Sequence, residues 1–150
     1  MYSKQEISLT RQQFWTAFGQ YLAPILSAEG EKPNWVNYKT GVKHIRFIME
    51  VEGSTATIAI ELSHPGKEAR ENTRSKLESL QQDFEAVMGE SWQWQVDIEK
   101  DHRITDRLSA SLSRVNIMDK SDWPALISFF KQRVLLLDRF WSDFKFIFEI

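Results

Sequence analysis

The chain has 150 residues, enough to bury one hydrophobic core, and it is read as a single domain spanning 1–150. Its formal charge of -2 supplies no global field for nucleic acid, so any grip on phosphate must come from a local basic patch. It has no cysteine, which excludes a disulfide framework, a thiolate nucleophile and a cysteine-based zinc site.

The opening "MYSKQEI" does not have the form of a signal peptide, and with the missing cysteines it predicts a cytoplasmic setting. Ser3 with Glu6 three residues later reads as a capping box. It starts a helix whose Phe14, Trp15, Phe18, Leu22, Ile25 and Leu26 share a face, and Pro24 should stop that helix near Ala23. Ser27 to Pro33 is a connection rich in turn formers, and "NWVNYKTG", Asn34 to Gly41, leads from it into a strand.

From Val42 to Val51 residues alternate, with Ile45, Phe47, Met49 and Val51 on one side and His44, Arg46, Ile48 and Glu50 on the other. Gly53 and Ser54 make a turn, after which Ala56, Ile58, Ile60 and Leu62 alternate with Thr57, Ala59, Glu61 and Ser63. A two-residue turn pairs Met49 with Ile58, Phe47 with Ile60 and Ile45 with Leu62, and sets Arg46 opposite Glu61. The segment from His64 to Glu90 follows as a helix with Thr73, Leu77, Leu80, Phe84, Val87 and Met88 on its apolar face and Gly89 as its cap. Lys67, Glu68, Arg70, Glu71, Arg74 and Glu78 are expected on its solvated face.

In a second hairpin Trp92, Trp94, Val96 and Ile98 point one way on the first strand, and Leu108, Ala110 and Leu112 on the second. Ser121 or Asp122 then caps a last helix, with Pro124 in its first turn, which runs from Leu126 through Phe144. Lys131, Arg133, Asp138, Arg139, Asp143 and Lys145 interrupt this apolar helix, so it should not span a membrane. The expected fold is α+β in the order α-β-β-α-β-β-α, with an antiparallel sheet of about four strands built from two hairpins and helices packed on it.

Three groups of residues carry possible chemistry. Trp35, Tyr38, Lys39, Lys43, His44 and Arg46 form a candidate basic and aromatic surface, suited to stacking on bases or holding an acidic partner. Glu50, Glu52, Glu61 and His64 supply groups able to hold a metal, but Glu50 is expected to lie far from Glu61 and His64 falls beyond the strand. A nuclease of the restriction type would need Glu-x-Lys where the sequence reads Glu61-Leu62-Ser63, and the lysine is missing. Arg46 and Glu61 are more simply a cross-strand ion pair. His44, His64 and His102 show no paired metal spacing, and there is no phosphate-binding glycine loop or nucleophile elbow.

The strings "RQQFWTAFGQY", "SAEG", "NWVNYKTGVKH", "IAIELSHP", "GESWQW" and the run from Asp122 to Lys145 resemble, over nearly the whole length, an uncharacterised bacterial family, the domain of unknown function numbered four thousand two hundred and sixty-eight. The resemblance implies no activity and no catalytic residue. Some members resemble tails of larger chains with nuclease-like regions, which implies an association with DNA metabolism or defence. The resulting expectation is a non-catalytic binding or accessory module without a cofactor. Its partner is an unknown protein or small ligand, its surface comprises Trp35, Tyr38, Lys39, Lys43, His44, Arg46, Glu61 and His64, and it has no membrane partner. The alternatives are a metal-dependent nuclease-like hydrolase using Glu50 and Glu61, and a nucleic-acid binder that does not cleave.

Overall fold

The computed structural model describes residues 1–149. Helix α1 (Lys4–Leu22) begins with the expected capping box: Ser3 N donates to Glu6 Oε1 at 3.2 Å and Glu6 N to Ser3 Oγ at 3.1 Å. It ends before Pro24, where a missing N–H and a steric clash forbid another turn. Strands β1 (Ile45–Glu52) and β2 (Thr55–Leu62) form the predicted hairpin in the predicted register, Ile45 with Leu62, Arg46 with Glu61, Phe47 with Ile60 and Met49 with Ile58. Gly53 takes the turn position at φ 57°, a conformation that costs glycine nothing. Val42 and Lys43 remain in the approach, so β1 starts three residues later than alternation suggests.

The segment expected to be one helix is two, α2 (Lys67–Ser79) and α3 (Gln81–Met88). Leu80 leaves helical geometry at φ -98° and ψ 12°, and the bend lets Leu77, Leu80, Phe84 and Met88 all enter the core. Gly89, at φ 71°, caps α3 as expected. Strands β3 (Gln93–Lys100) and β4 (Arg103–Ser113) follow, joined by a tight turn in which Asp101 and His102 both have left-handed backbone. Their register slips between Gln95 and Ile98. Within this bulge Val96, expected beside Trp94 in the core, is 44% exposed, and beyond it the alternation reverses, because Ile98 pairs with Thr105 while Trp94 pairs with Leu108. A short 3-10 turn (Lys120–Asp122) is capped by Asp119, while Asp122 takes the N-cap position of the last helix as expected but makes no capping bond, its side chain accepting from Asn116 N instead. Pro124 sits in the first turn of α4 (Trp123–Phe148).

The two hairpins join through β2 and β4, giving one antiparallel sheet in the order β1-β2-β4-β3. This is the expected α+β arrangement. The core gathers one face of that sheet with α1, α3 and α4: Phe14, Phe18, Ile58, Ile60, Leu126, Phe130, Val134, Leu137 and Phe140 are all buried. On the opposite face Arg46, Gln93, Gln95 and Ser111 are exposed, so the helices cover one side only. No helix among the described residues is long and apolar enough to cross a membrane.

Candidate functional site

The residues singled out in the sequence divide between three places. Trp35 is a core residue, 2% exposed, whose Nε1 donates to Ile25 O at 3.1 Å. Its ring stacks toward Tyr38, and Tyr38 stacks on Phe47 with centroids 5.0 Å apart. Phe47 points into the core while its neighbour Arg46 points to the open face. The aromatic pair and Arg46 therefore occupy opposite faces of the sheet, and the expected basic aromatic surface is not assembled.

His44 and His64 meet at the end of the β1–β2 hairpin with ring centroids 5.2 Å apart. His64 lies beyond β2, as its sequence position suggests, with Nε2 3.2 Å from Thr73 Oγ1. Burial, with the nearby His44 and Arg70 charges, holds its pKa below the usual histidine value, and Asp106 only partly opposes them.

Arg46 and Glu61 form the predicted cross-strand pair, Nη2 to Oε1 at 2.8 Å, but Glu61 is buried rather than lying on an exposed surface. Arg107 on β4 closes over it, with Nη2 3.0 Å from Glu61 Oε2 and Nη1 2.8 Å from Glu50 Oε1. Glu50 and Glu61, expected to be far apart, are thus bridged by one guanidinium. To reach Glu50 on β1 from β4, Arg107 must cross β2 at Ala59, and that methyl is fully covered. A small side chain at 59 makes the crossing possible. Burial alone would push Glu61 up, yet its hydrogen bonds and charge pairing with Arg46 and Arg107 hold it below the usual carboxylate range. The oxygens expected to hold a metal accept from arginine instead. Among the described residues, no three His, Asp or Glu gather in a metal-ligating group.

"NWVNYKTG" leads elsewhere, to α4. Asp138 is 5% exposed and binds the loop at two points, accepting from Tyr38 Oη at 2.6 Å and from Ala28 N at 2.7 Å. Trp141 Nε1 donates to Thr40 O at 2.7 Å, and Thr40 Oγ1 donates to Ile45 O at 2.7 Å. Asn34 Oδ1 accepts from Val36 and Asn37 N, which folds the loop back on itself. Burial, followed by the hydrogen bond and charge of Asp138, raises the Tyr38 hydroxyl far above its ordinary pKa, so the phenol is a fixed donor.

These bonds hold open a cavity of about 410 Å³ between the loop and α4. It is lined by Tyr38, Lys39, Trp141, Ser142 and Lys145, with Glu29 and Glu31 from the connection. Lys145 reaches toward Gly41, where a built Cβ would come within 2.7 Å of Nζ. Among the described residues, Lys39, Lys145, Glu29 and Glu31 form no ion pair. Of the predicted surface, only Tyr38 and Lys39 reach this cavity. The α4 residues were missed, although a signal existed: Asp138 sits four residues after Val134 and three before Trp141, on the buried stripe of an apolar helix. An acid there needs partners.

The family model described as a domain of unknown function, DUF4268, matches residues 10–145. The chain belongs to this family. Apart from Glu31 and Pro33, every residue lining the DUF4268 cavity lies in "SAEG", "NWVNYKTG" or the run from Asp122 to Lys145, segments that carry the family resemblance. Among solved structures, YbjN from E. coli, described as a candidate transcription regulator, aligns at 15% identity over 72% of this chain and 73% of its own. Its TM-score of 0.27 is too low to carry an argument. No curated protein matches the chain.

Proposed function

We propose that this DUF4268 chain is a non-catalytic cytoplasmic binding module that takes a small zwitterionic ligand, of the free amino-acid class, in the cavity between the 27–40 loop and α4. The observation that carries this reading is the set of charges of both signs around one cavity, unpaired among the described residues. Lys39 and Lys145 are suited to a carboxylate, and Glu29 and Glu31 to an ammonium group. The volume is within the range of small-molecule sites, and Trp141 and Tyr38 supply apolar surface for a side chain. The buried bonds of Asp138 fix the walls beforehand, which lowers the ordering cost of binding.

Thermal-shift measurements with a panel of free amino acids, inorganic phosphate and citrate test the proposal. At least one amino acid should raise the melting temperature of the wild type, while Lys39→Ala with Lys145→Ala abolishes that shift and retains the folded baseline. A response to phosphate and citrate alone would replace the zwitterion with a simple anion. No response to the panel, or one untouched by the two substitutions, would remove the reading.

A further inference from the structure

The charges around the cavity between the 27–40 loop and α4 are sorted to its two ends. Asp138 marks one end, since Ala28 N and Tyr38 Oη both donate to it. Glu29 follows Ala28 directly, and its charge is close enough to Tyr38 to add to the rise in the pKa of that hydroxyl. Ser27 N donates to Glu31 O at 2.7 Å, which closes the turn and keeps Glu31 at the same end. Both Asp138 oxygens are engaged, so Glu29 and Glu31 are the acceptors left there for a cationic group.

The other end belongs to Lys145. It follows Asp138 on α4 by two turns, roughly 10 Å along the axis. Its ammonium packs against Gly41, where a built Cβ would stand 2.7 Å from Nζ and 3.2 Å from Cε. The missing side chain at Gly41 is thus the seat of that ammonium. Trp141 and Ser142 line the stretch between the two ends.

Resting on the reading of this cavity as a zwitterion site, we infer that its ligand is an ω-amino acid, held with its ammonium at Glu29 and Glu31 and its carboxylate at Lys145. An α-amino acid has a single carbon between its charged groups, which sets its nitrogen about 2.5 Å from the carboxylate carbon. Charge-assisted contacts of about 2.8 Å at each end take up about half of the roughly 10 Å between the anchors. The ligand must bridge the remaining distance of about 5 Å, which about three methylene groups supply when extended.

Isothermal titration calorimetry with glycine, leucine, β-alanine, γ-aminobutyrate, δ-aminovalerate and ε-aminocaproate tests this. Affinity should rise with the separation of the charges, peak at γ-aminobutyrate or δ-aminovalerate, and exceed that of glycine by about tenfold or more. Butyrate, which lacks the ammonium, should bind at least about tenfold more weakly than γ-aminobutyrate. Gly41→Ala should lose the preference for length, because its Cβ drives the Lys145 ammonium from its seat. Gly89→Ala should keep it: that glycine also has left-handed backbone, at φ 71°, but nothing stands within 4 Å of the added carbon. Should Gly41→Ala fail to fold, Lys145→Ala takes its place, with the same loss expected. Glycine or leucine binding as tightly as the longer homologues would overturn the inference and leave the zwitterion site standing. A preference for length that survives removal of Lys145 would also overturn it. No binding by any zwitterion of the series would remove the site and the inference together.

Discussion

Asp106 and Arg107 are adjacent on β4 and point to opposite faces of the sheet, and each anchors an ionic cluster of a different kind. Arg107 belongs to the open face, where it meets Glu61 and Glu50 and retains some contact with solvent. Asp106 points beneath α2 and is 0% exposed. Its Oδ2 accepts from Arg74 Nη1 at 2.7 Å, and its Oδ1 accepts from Asp97 N at 2.8 Å. Arg70 Nε lies 3.4 Å from Oδ1 but without hydrogen-bond alignment, so that contact supplies charge alone. Arg70 also donates to His64 O and to Asp97 Oδ1. Arg70 is therefore buried rather than on the solvated helix face that the charge pattern implies, and Arg74 is only partly exposed, reaching inward to Asp106 and outward to Glu78. The outward pairs Lys67–Glu71 and Arg74–Glu78 are the part of that pattern that holds.

The difference shows how depth changes the role of the same chemistry. Two charges removed from water are held by mutual attraction against a large desolvation penalty, so taking away one member leaves the others stranded. Near the surface, water replaces part of what is lost. The Asp106 cluster also shapes the backbone, because Asp97 N is drawn onto the carboxylate where the β3 bulge forms.

The largest effect is expected beneath α2. Asp106→Asn keeps the shape but removes the buried carboxylate that Arg70 and Arg74 share, leaving only the half-exposed Asp97 and Glu78 as counter-charges, and should lower stability by about 3–5 kcal/mol in urea denaturation. A loss under about 1 kcal/mol would mean that Asp97 and water neutralise the arginines, making the two clusters alike.

On the open face, Glu61→Gln should cost about 1–2 kcal/mol, since charge-assisted bonds to Arg46 and Arg107 weaken while both arginines keep access to water. It should also alter the response to acid. The folded-state pKa of Glu61 is lowered, so its contribution is present above its ordinary value of 4.5 and is lost as the pH falls through the lower folded value. Stability measured against pH should therefore decline less steeply below 4.5 in Glu61→Gln than in the wild type. Equal slopes would remove this carboxylate as the source.

The smallest effect belongs to Arg46→Ala, whose side chain is mostly in water. It should change stability by less than about 1 kcal/mol in urea denaturation. A loss as large as that for Asp106→Asn would show that exposure does not separate the clusters.

The β1–β2 hairpin was legible in the sequence because strict alternation and a two-residue turn leave one register that buries a whole face. The capping box at Ser3, the stop before Pro24 and the glycine cap at Gly89 were legible for the same reason. Each is decided within a few residues by backbone geometry and hydrogen bonding. The candidate cavity was half legible, since "NWVNYKTG" announces an elaborate loop but not what lies opposite it.

What the tertiary structure decided are the contacts between distant segments. Arg74 meets Asp106 across 32 residues, and Tyr38 meets Asp138 across 100. A lysine or arginine on a charged helix looks solvated until the packing of that helix against a strand is known. The bulge at Val96 and Asp97 depends on the buried carboxylate of Asp106, and the pairing of β2 with β4 depends on which hairpin edges meet. Local sequence sets which backbone conformations are open to each segment, while burial, charge neutralisation and strand order are set by the neighbours that folding brings alongside.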